Sequence, residues 1–220
     1  LIWSQFILVP VVCEADRSRC DRRNKSVCFT GHLALMRVIA GSAGGILLKT
    51  PAHDLRPTMD RVREAAFSAL GDFVIGAHVL DLFAGSGGYG IEALSRGAAE
   101  AVFVDDHPKS IEAIRSNLAR TKLAGKVFRD DAFRFLEKHQ ERYRLVFADP
   151  PYAKKAGDRD IAGELLEDKF LGAAVEPEGL VVLECSPIKE VSASRFWDII
   201  RAKKYGATKL LFCIHKKLPG

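Results

Sequence analysis

From residue 36 onward, apolar and polar positions fall into short runs that change period repeatedly. Residues 37–40 and 46–49 are brief apolar stretches divided by Gly41-Ser-Ala-Gly-Gly45, the pattern of a small β-hairpin. Pro51 and Pro57 mark a loop, and Thr58 can cap a helix over 58–70. There Val62, Ala65, Ala66 and Ala69 recur at helical spacing. Strand and helix signals then alternate. Strands are predicted at 78–83, 101–104, 126–128, 143–148 and 179–184, and helices at 89–96, 108–122, 131–138 and 161–171. Pro108 suits the first turn of its helix. Residues 197–205 and 208–215 read as two further strands joined through Gly206. Such alternation predicts an α/β fold: a mostly parallel sheet with helices on both faces, closed by an antiparallel hairpin.

The chain has 220 residues, 48% hydrophobic and 28% charged, which suits one α/β domain with an appendage. The first 35 residues do not share the pattern. An apolar run over 1–12 lacks the preceding basic segment of a secretory signal and is too short to span a bilayer. A polar stretch over 16–26 follows, and regular patterning begins at Met36. The chain therefore divides into an atypical extension (1–35), either a non-native segment ahead of a natural start at Met36 or a genuine tail, then a hairpin-and-helix segment (36–75) and a ligand-binding domain (76–220). Nothing else is apolar enough to enter a membrane, which predicts a cytoplasmic protein. Cys13, Cys20, Cys28, Cys185 and Cys213 form no C-x-x-C pair and match no zinc spacing. No metal is expected, and the odd count points to a reducing compartment. Lys and Arg outnumber Asp and Glu by 33 to 28, which favours an anionic partner without requiring one.

Candidate chemistry starts at Asp81-Leu-Phe-Ala-Gly85-Ser-Gly87-Gly-Tyr-Gly90, where the first strand passes into a helix. Glycines there let the backbone turn tightly and a ligand approach closely. Asp105 ends the second strand, where a carboxylate can accept both hydroxyls of a ribose. Asp131 ends the third and either caps its helix or reads an adenine; Asp106 and Asp130 also fit as caps. Nicotinamide and S-adenosylmethionine proteins share this much. A pyrophosphate would be repelled by Asp81, whereas a methionine ammonium attracts a carboxylate. That difference favours S-adenosylmethionine as cofactor. The candidate cofactor contacts are Asp81, Phe83, Gly85, Gly87, Asp105, Asp106, Asp131 and Ala132.

Asp149-Pro150-Pro151-Tyr152 follows the fourth strand immediately. Neither proline can donate to a sheet ladder, so the pair makes a stiff turn at the ligand-binding edge. An exocyclic base amine is a poor nucleophile because its lone pair is delocalised into the ring. Acceptors at Asp149 Oδ and the Pro150 carbonyl can bind its two hydrogens, and Asp149 can take the proton as positive charge develops. Tyr152 can stack on a base withdrawn from its helix.

Taken with Met36-Arg-Val-Ile-Ala-Gly-Ser-Ala-Gly-Gly45, Arg56-Pro-Thr-Met-Asp-Arg-Val-Arg-Glu-Ala65 and Gly90-Ile-Glu-Ala-Leu-Ser-Arg-Gly-Ala98, these motifs resemble the RsmD family. Its members are bacterial enzymes that methylate guanine N2 in small-subunit ribosomal RNA. The resemblance runs from Met36 to the C-terminus. It implies a Rossmann-like class I methyltransferase fold, the donor S-adenosylmethionine, cofactor roles for Asp81, Gly85, Asp105 and Asp131, and target-amine roles for Asp149 to Tyr152. The implied partner is ribosomal RNA or a small-subunit assembly particle, with a monomer favoured. Arg37, Arg56, Thr58, Arg61 and Arg63 are candidates for RNA contact or site organisation, or else a solvated helix face. Two departures stand out. Ile46 replaces a basic residue that often follows the hairpin glycines, and Gly88-Tyr89 replaces a small-apolar pair at the rim of the cofactor turn. Methylation of DNA adenine or cytosine uses the same chemistry at the proline corner. A protein-glutamine methyltransferase, a nicotinamide oxidoreductase and a binding module without catalysis fit fewer of the residues.

Overall fold

The computed structural model describes residues 36–50, 59–152, 158–187 and 194–216. The segment 1–35, Arg56 and Thr58 lie outside the described residues. Seven strands form one sheet: β1 (His78–Leu82), β2 (Glu100–Asp105), β3 (Lys126–Arg129), β4 (Tyr143–Ala148), β5 (Val175–Cys185), β6 (Trp197–Tyr205) and β7 (Thr208–His215). Their order is β3-β2-β1-β4-β5-β7-β6. The first five are parallel, and β7 runs antiparallel to both β5 and β6. The chain changes direction across the sheet between β1 and β4, where an open α/β sheet leaves a crevice at its strand ends.

Helices cover both faces. On one lie α1 (Met59–Leu70), α2 (Gly88–Ser95) and α3 (Pro108–Thr121), whose Val62, Phe67, Ile91 and Ile114 pack with Val79, Phe147 and Phe212 of the sheet. On the other lie α4 (Ala132–Lys138), α5 (Ile161–Leu166) and α6 (Lys169–Ala174), whose Phe135, Leu165 and Leu171 pack with Leu80, Val146 and Leu183. Burial on both faces explains why the central strands are near-continuous apolar runs. A polar residue within them is therefore conspicuous, and Asp81 and Glu184 are two such residues, 2% and 7% exposed.

Three departures from the predicted elements have local causes. The helix expected over 161–171 is two helices, because Asp168 interrupts it and caps the second: its Oδ1 accepts from the amides of Phe170 at 2.6 Å and Leu171 at 3.1 Å. Asp106 and Asp130 cap nothing. His107 is the N-cap of α3, and Asp130 ion-pairs with Arg134 and Lys138. The N-terminal hairpin is reduced to one antiparallel bridge, Arg37 to Leu47. Val38 N–H donates to the Ile46 carbonyl at 2.9 Å and Leu48 N–H to the Met36 carbonyl at 2.8 Å, and beyond Val38 the Ile39 and Ala40 amides donate to Glu92 on α2, at 2.7 and 3.1 Å. Gly41 (φ +84°) is held so close to α2 that a Cβ there would lie 1.9 Å from the Ser95 carbonyl oxygen.

Candidate active site

The glycine turn leaves β1 through a run of left-handed residues: Phe83 (φ +56°), Gly85 (φ +56°) and Gly87 (φ +80°). A phenylalanine in that region costs about 1–3 kcal/mol and persists only where its surroundings impose it. Here its half-buried ring packs against the apolar cluster beneath α4. Two carboxylates hold the turn. Asp81 Oδ2 accepts from the Gly90 amide at 2.8 Å, satisfying a donor in the first turn of α2. Asp105 spans the crevice: Oδ2 accepts from Gly85 N–H at 2.8 Å and Oδ1 from His107 N–H at 2.9 Å. Each Asp105 oxygen keeps a further lone pair for a ligand hydroxyl.

Asp131 is the N-cap of α4, its Oδ1 accepting from Phe133 and Arg134 N–H at 3.0 and 3.1 Å. Asp106 is exposed, and its carbonyl accepts from Arg129 Nε at 3.3 Å. Ala132 is buried at the start of α4. The C-terminal ends of β1, β2 and β3 thus carry Asp81, Asp105 and Asp131 to one edge of the sheet. A cradle in which three carboxylates stand beside one basic side chain, Arg129 at the end of β3, fits a ligand with amine and hydroxyl donors, such as S-adenosylmethionine, better than a pyrophosphate.

At the same edge β4 delivers Asp149, buried Pro150, exposed Pro151 and half-buried Tyr152. The Tyr152 hydroxyl lies 3.3 Å from Glu184 Oε2 on β5 and 3.0 Å from Thr208 Oγ1 on β7. Glu184 also accepts from the Tyr89 hydroxyl at 2.5 Å. Burial, reinforced by the Glu184 charge and hydrogen bond and by the charge of Asp149, holds the Tyr89 hydroxyl well above its ordinary pKa. Tyr89 is therefore a fixed donor at neutral pH. Its ring stacks on Phe147 at 4.7 Å, and Phe67 closes on Phe147 at 5.3 Å. An aromatic floor and a carboxylate with two phenol donors thus support the proline corner.

Glu184 and Thr208 escaped the sequence reading, and Tyr89 was read at the cofactor rim alone. Glu184 left a trace, a lone acid at the end of the apolar run Gly179-Leu-Val-Val-Leu183. Tyr89, expected at the cofactor rim, is turned toward β4 and β5 instead. Its neighbour Gly88 lies tight against α1 and the N-terminal segment, where a Cβ would meet Arg63 Nη1 at 2.9 Å and Met36 Sδ at 3.0 Å. Asn117, inside α3, is another omission. It accepts from Lys49 N–H at 2.7 Å and donates to the Ser86 carbonyl at 2.9 Å, tying the N-terminal segment to the glycine turn.

The arginines divide. Arg37 and Arg61 are exposed, as an RNA contact requires. Arg63 is 2% exposed, so the solvated helix face does not describe it. Its Nη2 donates to the Arg37 carbonyl at 2.5 Å and to Asp60 at 2.9 Å, and its Nε lies 3.9 Å from Glu92. Ile46 packs against the apolar cluster of the α1–α3 face. Cys185 and Cys213 are buried, and burial lifts their thiols to about 11 and about 12, so neither is a nucleophile at neutral pH. Among the described residues no three His, Cys, Asp or Glu side chains are grouped to hold a metal ion, and no helix is long and apolar enough to cross a membrane.

A family model described as "Conserved hypothetical protein 95" matches residues 36–214. YlbH of Bacillus subtilis, named as a candidate rRNA methyltransferase, is 46% identical over 190 residues, covering 83% of this chain and 99% of the relative. Ribosomal RNA small subunit methyltransferase D of Escherichia coli K12 is 38% identical over 135 residues, covering 60% of this chain and 67% of that protein. Among solved structures, the candidate methyltransferase yhhF of Escherichia coli superposes with a TM-score of 0.71 at 30% identity, covering 83% of this chain and 98% of that one.

Proposed function

The chain belongs to the RsmD family, and from that premise we propose that it methylates the exocyclic N2 of a guanine in 16S ribosomal RNA, in the cytoplasm, with S-adenosylmethionine as donor. The observation that carries the reading is the rigid Asp149–Tyr152 corner standing on the same sheet edge as the acid-lined glycine turn. When bound, the donor supplies an electrophilic methyl group on a cationic sulfur. Asp105 accepts from its ribose hydroxyls, while Asp131, Ala132 and Phe83 flank the adenine. Asp81 and Gly87 keep the turn in shape.

At the target, Asp149 Oδ and the Pro150 carbonyl each accept one hydrogen of the guanine amine. That pairing aims the nitrogen lone pair into the crevice and gives the departing proton a place on Asp149. The Tyr152 ring, tethered through its hydroxyl to Glu184 and Thr208, presents a fixed face to the base. The gain over solution comes mainly from positioning.

Small subunits from cells lacking the protein, naked 16S RNA and duplex DNA, each incubated with labelled donor, test the assignment. N2-methylguanosine in the RNA, identified by nucleoside mass spectrometry, is the expected product. Label confined to DNA, or to another base, defeats it. Asp105→Ala is expected to weaken S-adenosylhomocysteine about 10- to 100-fold by calorimetry, the loss of hydrogen bonds to a charged acceptor. Unchanged affinity would remove Asp105 from the cofactor site.

A further inference from the structure

The chain's formal excess of five positive charges, 33 basic against 28 acidic side chains, is matched by one stretch. Residues 199–216 contain Arg201, Lys203, Lys204, Lys209 and Lys216 and no acid, so the remainder balances. Most of this stretch belongs to the β6–β7 hairpin, Trp197–His215, which carries four of these cations and one acid, Asp198, and β6 is an edge strand exposed along nearly its whole length. Arg201, Lys203, Lys204 and Lys209 have no ion-pair partner among the described residues. Elsewhere on the surface Lys49, Lys126, Arg159 and Arg195 each face a carboxylate, whereas exposed Lys109, Arg115 and Arg120 of α3 have no ion-pair partner among the described residues either, so what sets the hairpin apart is its excess of cations over acids.

The register fixes where these charges stand. Arg201 pairs with Phe212, Lys203 with Leu210 and Tyr205 with Thr208, while Leu210 also pairs with Glu184 of β5. Directly opposed residues in an antiparallel ladder share a face. Arg201 and Lys203 therefore stand on the face that carries Glu184 and Thr208, the two side chains that hold the Tyr152 hydroxyl. The Arg201 guanidinium lies 5.8 Å from the Phe212 ring centre, consistent with that face. The β6–β7 turn is at the C-terminal end of β5, the sheet edge where Asp149 emerges. From Arg201 to Tyr205 the strand covers roughly 13 Å at the usual rise, a length over which a nucleic-acid strand presents about four phosphates.

We propose that the β6–β7 hairpin, through Arg201 and Lys203, binds the phosphodiester backbone of the RNA strand and leads its target base to Tyr152. This deepens the ribosomal RNA reading and rests on it. Cations on an edge strand also discourage edge-to-edge pairing. Two features go beyond that role: the charges run toward the site, with the strand's acid, Asp198, at the far end, and they stand in register with the residues that hold Tyr152.

The test compares two charge-reversed full-length variants. Arg201→Glu/Lys203→Glu changes the proposed surface. Lys122→Glu/Arg142→Glu makes the same change in net charge at exposed positions preceding β3 and β4, on the opposite sheet edge. For the first, the slope of log affinity for a 16S RNA fragment against log salt should fall by about two. KM should rise roughly tenfold or more at physiological salt, with kcat and S-adenosylhomocysteine affinity within about twofold. The second variant should keep the wild-type slope. Equal slopes for wild type and the first variant overturn the proposal, as does an equal loss in both variants. Self-association of the first variant with unchanged KM would assign the cations to edge protection instead. Absence of methyl transfer by the unaltered protein defeats the ribosomal RNA reading, whereas the surface stands or falls on the salt slope.

Discussion

Asp149→Ala is expected to lower kcat for methyl transfer by about 10²–10⁴, with S-adenosylhomocysteine affinity within about twofold of wild type. The size follows from what the side chain does at one atom. An aromatic amine donates its lone pair to its ring, and a hydrogen-bonded carboxylate both restores electron density to the nitrogen and receives the proton lost as the new bond forms. The Pro150 carbonyl survives the substitution, so one acceptor remains and some positioning with it. The effect should be confined to the chemical step, because Asp149 ends β4 whereas the cofactor acids end β1, β2 and β3. Single-turnover transfer with saturating donor measures the step, and calorimetry measures the cofactor. Loss of affinity parallel to the loss of rate would place Asp149 in the cofactor site and dissolve the division of roles.

The placement of these residues at the strand ends was legible in the sequence because the signals are local. A glycine turn after an apolar strand, an acid at the next strand's end and two prolines after a third are each set by residues adjacent in the chain. The alternating fold was legible for the same reason: Tyr143–Ala148 and the last two strands have the predicted bounds. What escaped was long-range. Glu184 is 95 residues from Tyr89 and 32 from Tyr152, and their convergence depends on β5 lying beside β4. Arg63 reads as one more basic residue on a polar helix until the hairpin closes over it. The break at Asp168 was hidden because apolar spacing continues across it, and only the side-chain cap reveals two helices. The basic hairpin lay between these cases: its charges were countable, but its register against Glu184 required the sheet.

Glu92 is where such long-range closure should cost most when removed. It is fully buried on α2, yet four groups converge on its carboxylate. Oε2 accepts from Ile39 N–H at 2.7 Å and faces Arg63 Nε at 3.9 Å; Oε1 accepts from Ala40 N–H at 3.1 Å and Arg96 Nε at 2.6 Å. Its removal leaves the Arg63 guanidinium, itself 2% exposed, with Asp60 as its remaining acidic partner and strands two amides of the N-terminal segment. Breaking a buried pair on one side in this way costs about 3–5 kcal/mol. Arg159 and Glu164 are an instructive contrast, at 2.5 Å but with side chains 58% and 42% exposed, so water screens the attraction. Glu164→Ala should cost under about 1 kcal/mol. Urea unfolding of the full chain at pH 7 compares the two substitutions directly. A lower midpoint with an unchanged slope for Glu92→Ala, and almost none for Glu164→Ala, is the expected pair of results. A loss at Glu92 as small as that at Glu164 would mean that the hairpin, α1 and α2 are held together by their apolar contacts alone.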